Sequence, residues 1–179
     1  MAVMKVLKGQ IADFRKDQRG AALIEVTVVI PVVLAIGLGV MEFGNAIYSK
    51  HLITNGVRDA ARYAAGLPQT QATHDDAQCI ALTGKTNGSA CTATATPSCT
   101  GANCRVSWWN NAATQVTVAY VPVNNDDGAG NKLYRGGATI PIVTVTATVP
   151  YQQLGFLAFF GLTAPTLSVS HEERVFGVR

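Results

Sequence analysis

Glu25 makes the greatest demand on its surroundings. It is the fifth residue of an apolar run, behind the sequence Arg19-Gly20-Ala21-Ala22-Leu23-Ile24. An acidic residue within a bilayer core costs about 2.5–3.5 kcal/mol on insertion scales, and less near an interface, so one retained there marks a functional position. A small residue before the run and a carboxylate just inside it suggest a processing and assembly signal rather than an active site. The other reactive groups do not converge. There is no Gly-rich phosphate loop, no Gly-x-Ser-x-Gly elbow and no His-Glu-x-x-His pair. His51, His74 and His171 lie in three different segments with no evident carboxylate or cysteine constellation. Asp75-Asp76 and Glu172-Glu173 are adjacent pairs, which diverge in a helix or strand and read as solvated surface. The residues indicate neither an enzyme nor a cofactor.

The four cysteines, Cys79, Cys91, Cys99 and Cys104, all fall in residues 67–113, where Thr, Ala, Ser, Asn and Gly dominate. An even count in a weakly apolar region facing an oxidising compartment favours disulfides, which reinforce a segment unable to build a core. Three pairings exist and the sequence does not choose among them. Zinc is the competing reading, but there is no Cys-x-x-Cys pair and only His74 is near; free or intermolecular thiols are a third. Trp108 and Trp109 adjoin this region and read as anchors to the core. The run Asn124-Asn125-Asp126-Asp127-Gly128-Ala129-Gly130-Asn131 clusters carboxylates and amides as a calcium loop does. Its acidic residues are adjacent rather than alternating, and no bidentate Glu follows at EF-hand spacing, so it reads as a polar turn.

What must position Glu25 is a membrane helix. From Ala21 to Met41 only Glu25 and Thr27 break the apolar run. At about 1.5 Å per residue this run reaches roughly 30 Å, enough to cross a hydrocarbon core. A removable secretory signal would have a shorter apolar region and a small-x-small cleavage site, whereas this run continues into Glu42-Phe43-Gly44. Pro31 should kink the helix, which membrane helices tolerate when neighbours satisfy the freed carbonyl. Residues 1–20 hold five basic groups (Lys5, Lys8, Arg15, Lys16, Arg19) against Asp13 and Asp17, and the rest of the 179-residue chain is formally neutral. The excess charge therefore flanks the span, which keeps that end cytoplasmic and argues against nucleic-acid binding.

Beyond the span the pattern becomes amphipathic. Phe43, Ala46, Ile47, Ile53, Val57, Ala60, Ala61 and Ala64 recur at helical spacing, with Lys50, Arg58, Asp59 and Arg62 between them. Gly66 and Pro68 supply the stop, so one helix covers about residues 21–65. Gly37, Gly39, Gly44 and Gly56 suit close approach by other backbones, or reflect only how common glycine is in membrane helices. Alternation then predicts strands over Gln115–Val121, Thr139–Val149 and Thr166–Arg174, the last with Leu167, Val169 and His171 on one face. Leu154–Leu162 (LGFLAFFGL) is too short to span a bilayer, and packing under the sheet is its favoured reading.

Residues 19–66 resemble the Tad (tight adherence) pseudopilins, the TadE-like group in particular. The resemblance rests on Arg19-Gly20-Ala21-Ala22-Leu23-Ile24-Glu25, the run with Pro31, Glu42-Phe43-Gly44, and Leu52-x-x-Asn55-x-x-Arg58-Asp59-x-Ala61-Arg62-Tyr63-Ala64. It implies a pilin-like α+β fold, with a long N-terminal helix packed on a small antiparallel sheet and a disulfide-bearing loop region. It implies a basic leader, residues 1–20, removed by a prepilin peptidase cutting after Gly20. A transmembrane helix over 21–41, its amphipathic extension over 42–66 and a periplasmic domain over 67–179 would follow, the last comprising the Cys-containing loop region 67–113 and strands in 114–179. Cleavage would leave a new ammonium at Ala21, one helical turn from Glu25, and pairing would offset the desolvation of both groups. The resemblance further implies a bacterial inner-membrane protein whose partners are that peptidase, other Tad pseudopilins, the Flp pilin, the inner-membrane assembly platform and the lipid bilayer. Flp subunits usually carry an aromatic after the Glu and are very short; here Val26 follows and the outer domain is sizeable. That points to a minor pseudopilin for pilus assembly and adhesion. A signal-anchored periplasmic binding module is the alternative from another class, and a membrane-tethered enzyme a third without a visible site.

Overall fold

The architecture follows from one helix that meets two different environments. In a computed structural model, residues 18–86, 99, 103–109, 115–135 and 137–176 are described. Helix α1 spans Gln18–Ala65, with Pro31 inside it. The chain divides into two compact units, Met1–Phe43 and Gly44–Arg179, and the division falls within α1.

In the first unit the described residues form the early part of α1, and its apolar side chains point outward all round. Leu23, Ile24, Val28, Val33, Leu34, Ile36, Val40 and Met41 are each more than half exposed. From Ala22 onward the helix is long and apolar enough to cross a membrane. A helix apolar on every side needs an apolar medium. Thr27 donates its hydroxyl to the Leu23 carbonyl at 2.7 Å, which satisfies one polar group inside the helix.

In the second unit the rest of α1 is one-sided. Ser49, Ile53, Gly56, Val57, Ala60, Ala61, Ala64 and Ala65 are buried, whereas His51, Asn55, Arg58 and Arg62 are exposed. Phe43 and Ile47, expected on the buried stripe, stand instead about two-thirds exposed. The buried face begins with small and polar residues, so its apolar signal is weak at that end.

That face lies on a three-stranded antiparallel meander ordered β1 (Val116–Asn124), β2 (Thr139–Pro150), β3 (Thr166–Arg174). Register aligns Val118, Val145 and His171 in one row and Tyr120, Val143 and Glu173 in the next. Central β2 buries Val143, Val145, Ala147 and Val149 completely. Each such valine contributes about 1.5–3 kcal/mol by leaving water. Thr144, Thr146 and Thr148 occupy the other face. Asn45 Nδ2 donates to the Tyr151 hydroxyl at 2.8 Å, and Phe176 N–H to the Ala65 carbonyl at 3.0 Å. The helix therefore runs the length of the sheet, antiparallel to β2.

A second helix, α2 (Gln71–Thr83), occupies part of the stretch expected to be a Cys-containing loop region. Thr70 caps its start by accepting from Thr73 N–H, and Gly84, in the left-handed region, closes it. Thr73, Ala77, Ile80 and Ala81 recur at helical spacing on its buried side, and Cys79 and Leu82 are buried beside them. Gln78 Nε2 donates to the Val116 carbonyl at 3.0 Å, and His74 stacks on Tyr120. The fold is thus α+β, as expected, with one more helix. Trp109 is fully buried in the core, and the Cys99 sulfur lies 3.5 Å from its carbonyl oxygen.

Candidate functional site

Gly20 and Ala21 lie at the start of the described part of α1. Gly20 is exposed and has nothing within 4 Å of where a Cβ would stand. Glu25 follows one turn after Ala21 and is exposed on the helix surface. Pro31 lacks the N–H that would serve the Thr27 carbonyl one turn earlier. Two polar positions, Glu25 and the Thr27 carbonyl, thus fall close together in a helix otherwise clad in hydrocarbon.

The next group expected to matter separates. Glu42 is buried, 3% exposed, while Phe43 is 66% exposed. Gly44 is exposed, with nothing within 4 Å of its Cβ position. Asn45 follows with its hydrogen bond to Tyr151, whose ring takes Trp108 edge-on at 5.8 Å.

Higher on α1, Arg62 and Tyr63 pin the helix. Arg62 Nε lies 3.7 Å from Glu173 Oε1 on β3, and His171 Nε2 lies 3.0 Å from the same oxygen. Tyr63 donates its hydroxyl to Asp76 on α2 at 2.9 Å. Burial raises its pKa above 10.0, and its bond to the Asp76 carboxylate adds to the shift. Asn55 and Arg58 are exposed on the opposite side. Asp59 holds Arg105 at 2.6 Å, and the Arg105 N–H donates to the Leu82 carbonyl at the end of α2. Sequence reasoning missed the Arg62–Glu173–His171 group and read Glu172-Glu173 as plain surface. Strand alternation does place His171 and Glu173 on one face, which was the available signal.

Cys99 and Cys104 are joined in a disulfide. Cys79 is disulfide-bonded as well, and Cys91 lies outside the described residues. The polar run after β1 is organised by Asn125, 2% exposed. Its Nδ2 donates to the carbonyls of Tyr134 and Gly137 at 2.8 and 3.0 Å, and its Oδ1 accepts from Tyr134 N–H at 2.9 Å. Asp127 accepts from the Asn131 side chain and from two backbone N–H groups, which lowers its pKa below the usual value.

The LGFLAFFGL segment does not pack under the sheet. It forms the connection between β2 and β3, with a single-turn helix, α3 (Phe156–Phe159), that buries none of its residues. Leu154, Phe159, Phe160 and Leu162 are more than half exposed. The ring of Phe160 meets those of Phe156 and Phe159 edge-on, at 4.9 and 5.2 Å.

Residues 20–62 match the family model described as TadE-like protein. The match covers the apolar span and the one-sided helix that follows, from Gly20 to Arg62, and bears out the resemblance read from the same residues. No curated protein and no solved structure matches the chain. TadE-like proteins are a structural Tad pilus component family, and over residues 20–62 the chain is similar to them.

Proposed function

We propose that this TadE-like chain is a minor pseudopilin, cut after Gly20 and held in the bacterial inner membrane by residues 21–41, that assembles or initiates Flp/Tad-type pili and so serves adhesion. The observation that carries the reading is α1 itself. One continuous helix is apolar on all sides through its first half and one-sided through its second. Such an element can stay in lipid or move into a bundle of like helices without refolding its outer domain. Exposure of Gly20, with open space where a side chain would stand, supports access to the Gly20–Ala21 bond by a membrane-embedded prepilin peptidase. The cleaved chain would begin with an ammonium at Ala21, one turn from Glu25. Pairing of the two, or of either with a neighbouring subunit, would offset the cost of holding both in lipid. Basic residues before Gly20 favour a cytoplasmic leader and hence a periplasmic outer domain. The acts of the molecule are then binding and assembly, through the membrane, the pilus platform, other pseudopilins and the Flp pilin.

The test is the mass and N-terminal sequence of the protein from its native membrane, beside Gly20→Arg. The expected result is a wild type that begins at Ala21 and a variant that keeps its leader. Both proteins beginning at Met1 would refute processing and leave a signal-anchored module.

A further inference from the structure

We infer that the β2–β3 connection, residues 151–165, is a second membrane contact: an aromatic foot that rests in the interfacial layer of the bilayer surface from which α1 emerges. The inference rests on the reading of α1 as a membrane anchor. Composition comes first. From Tyr151 to Pro165 there is no Asp, Glu, Lys or Arg, whereas the β1–β2 connection at the other end of the sheet carries Asp126, Asp127, Lys132 and Arg135. Solvated connections are normally polar, and a contiguous exposed apolar patch marks an interaction surface.

Position within the second unit selects the partner. The chain enters this unit at Gly44, directly from the apolar run. Asn45, its second residue, is hydrogen-bonded to Tyr151, the first residue of the connection. Backbone pairing of Tyr151 N–H with the Pro165 carbonyl at 3.0 Å closes the other side of the loop. The connection therefore leaves the sheet at the end where the chain arrives from the membrane. Ile47 and Tyr48, both about two-thirds exposed, stand on α1 at the same end. Phe159 is 83% exposed, the highest value among the large apolar side chains, and Phe160 and Leu162 are exposed beside it. Trp, Phe and Leu side chains seated at the headgroup–acyl boundary are a recurrent membrane-interface device, and moving each large apolar side chain out of water favours the contact. Shallow insertion suits α3, which is one turn long and cannot span.

The test uses the full chain in vesicles of zwitterionic and anionic phospholipid, with a photoreactive benzoylphenylalanine placed in turn at Phe159, Val33 and Ala129. Lipid adducts at Phe159 comparable with those at Val33, and none at Ala129 in the β1–β2 connection, are the expected result. Adducts at Val33 without any at Phe159 would overturn the foot while leaving the anchor intact. Cross-linking from Phe159 to a second copy of the chain would also overturn it, by assigning the patch to self-association. Absence of lipid adducts at Val33 as well would refute the anchor, and the foot would fall with it.

Discussion

Gly56 marks the closest approach of α1 to α2, and its replacement sets two effects of known size against each other. A Cβ built at Gly56 overlaps the carbonyl oxygen of Ala81 and crowds its carbonyl carbon and the Cδ of Arg105. The Ala81 oxygen is helix backbone and cannot swing aside, so the helices must separate or tilt. In an open helix interior, Gly→Ala gains about 0.8–1 kcal/mol. Overpacking a tight contact typically costs about 1–3 kcal/mol, occasionally more, and overlap with backbone belongs at the upper end. Gly56→Ala should therefore destabilise the outer unit by a net of about 1–2 kcal/mol. At about 2–4 °C per kcal/mol for a chain of this size, the melting temperature falls by about 2–8 °C. Gly44→Ala supplies the control, because nothing lies within 4 Å of its Cβ position. It should gain up to about 1 kcal/mol. Thermal unfolding of the full chain in detergent, followed by fluorescence of buried Trp109 and half-buried Trp108, reads both variants. A Gly56→Ala protein as stable as the wild type would refute the close-crossing argument. Equal loss in both variants would refute it too, since the space at the two glycines could not then be the cause.

Asn125→Ala should cost about 1–3 kcal/mol, because three hydrogen bonds to the backbone of Tyr134 and Gly137 are lost from a buried amide. Hydrogen exchange should quicken across residues 125–138 and leave central β2 protected; uniform loss of protection would contradict that. Tyr63 carries an alkaline limit on stability. Below pH 10.0 its hydroxyl is neutral in both states; between 10.0 and its raised folded value the unfolded chain ionises while the folded one does not, so stability falls as pH rises. Tyr63→Phe should flatten part of that slope in melts between neutral pH and pH 11, and an unchanged slope would sink the assignment.

Legibility in the sequence followed the size and chemistry of the buried residues. The helix stop was readable from Gly66 and Pro68, and the limits of β2 and β3 from the alternation of apolar with polar residues along each strand. β1 runs on to Asn124, past the expected Val121, through Pro122. An edge strand tolerates the missing donor of a proline, but only the sheet order shows that this strand is an edge. α2 escaped because the first turns of its inner face carry only Thr73 and Ala77, with Cys79, Ile80 and Leu82 crowded toward its end; its caps, Thr70 and Gly84, were in plain view. The exposed Phe cluster was misjudged for the opposite reason, since a strongly apolar run in a globular domain ordinarily belongs to the core. Arg62, His171 and Glu173 stand 109 and 111 residues apart in sequence, and only register and packing bring them together.

The glycines of α1 divide in a way that bears on assembly. Gly56 is consumed inside the chain, by α2. Gly37 and Gly44 have open space where a side chain would stand. A glycine in a helix interior sacrifices about 1 kcal/mol relative to alanine, and within one copy of this chain nothing at Gly37 or Gly44 offsets that. In lipid, small residues are favoured where helix backbones approach each other, since tight packing and interhelical hydrogen bonds replace the hydrophobic drive that lipid removes. Glu25 and the Thr27 carbonyl freed by Pro31 add two polar positions near the start of the same helix, each costly in lipid until a partner supplies a donor. A lone anchor would be more stable with these features replaced by leucine. Their joint presence is explained if the helix reaches its most stable state among other helices, which is the condition the pseudopilin reading requires.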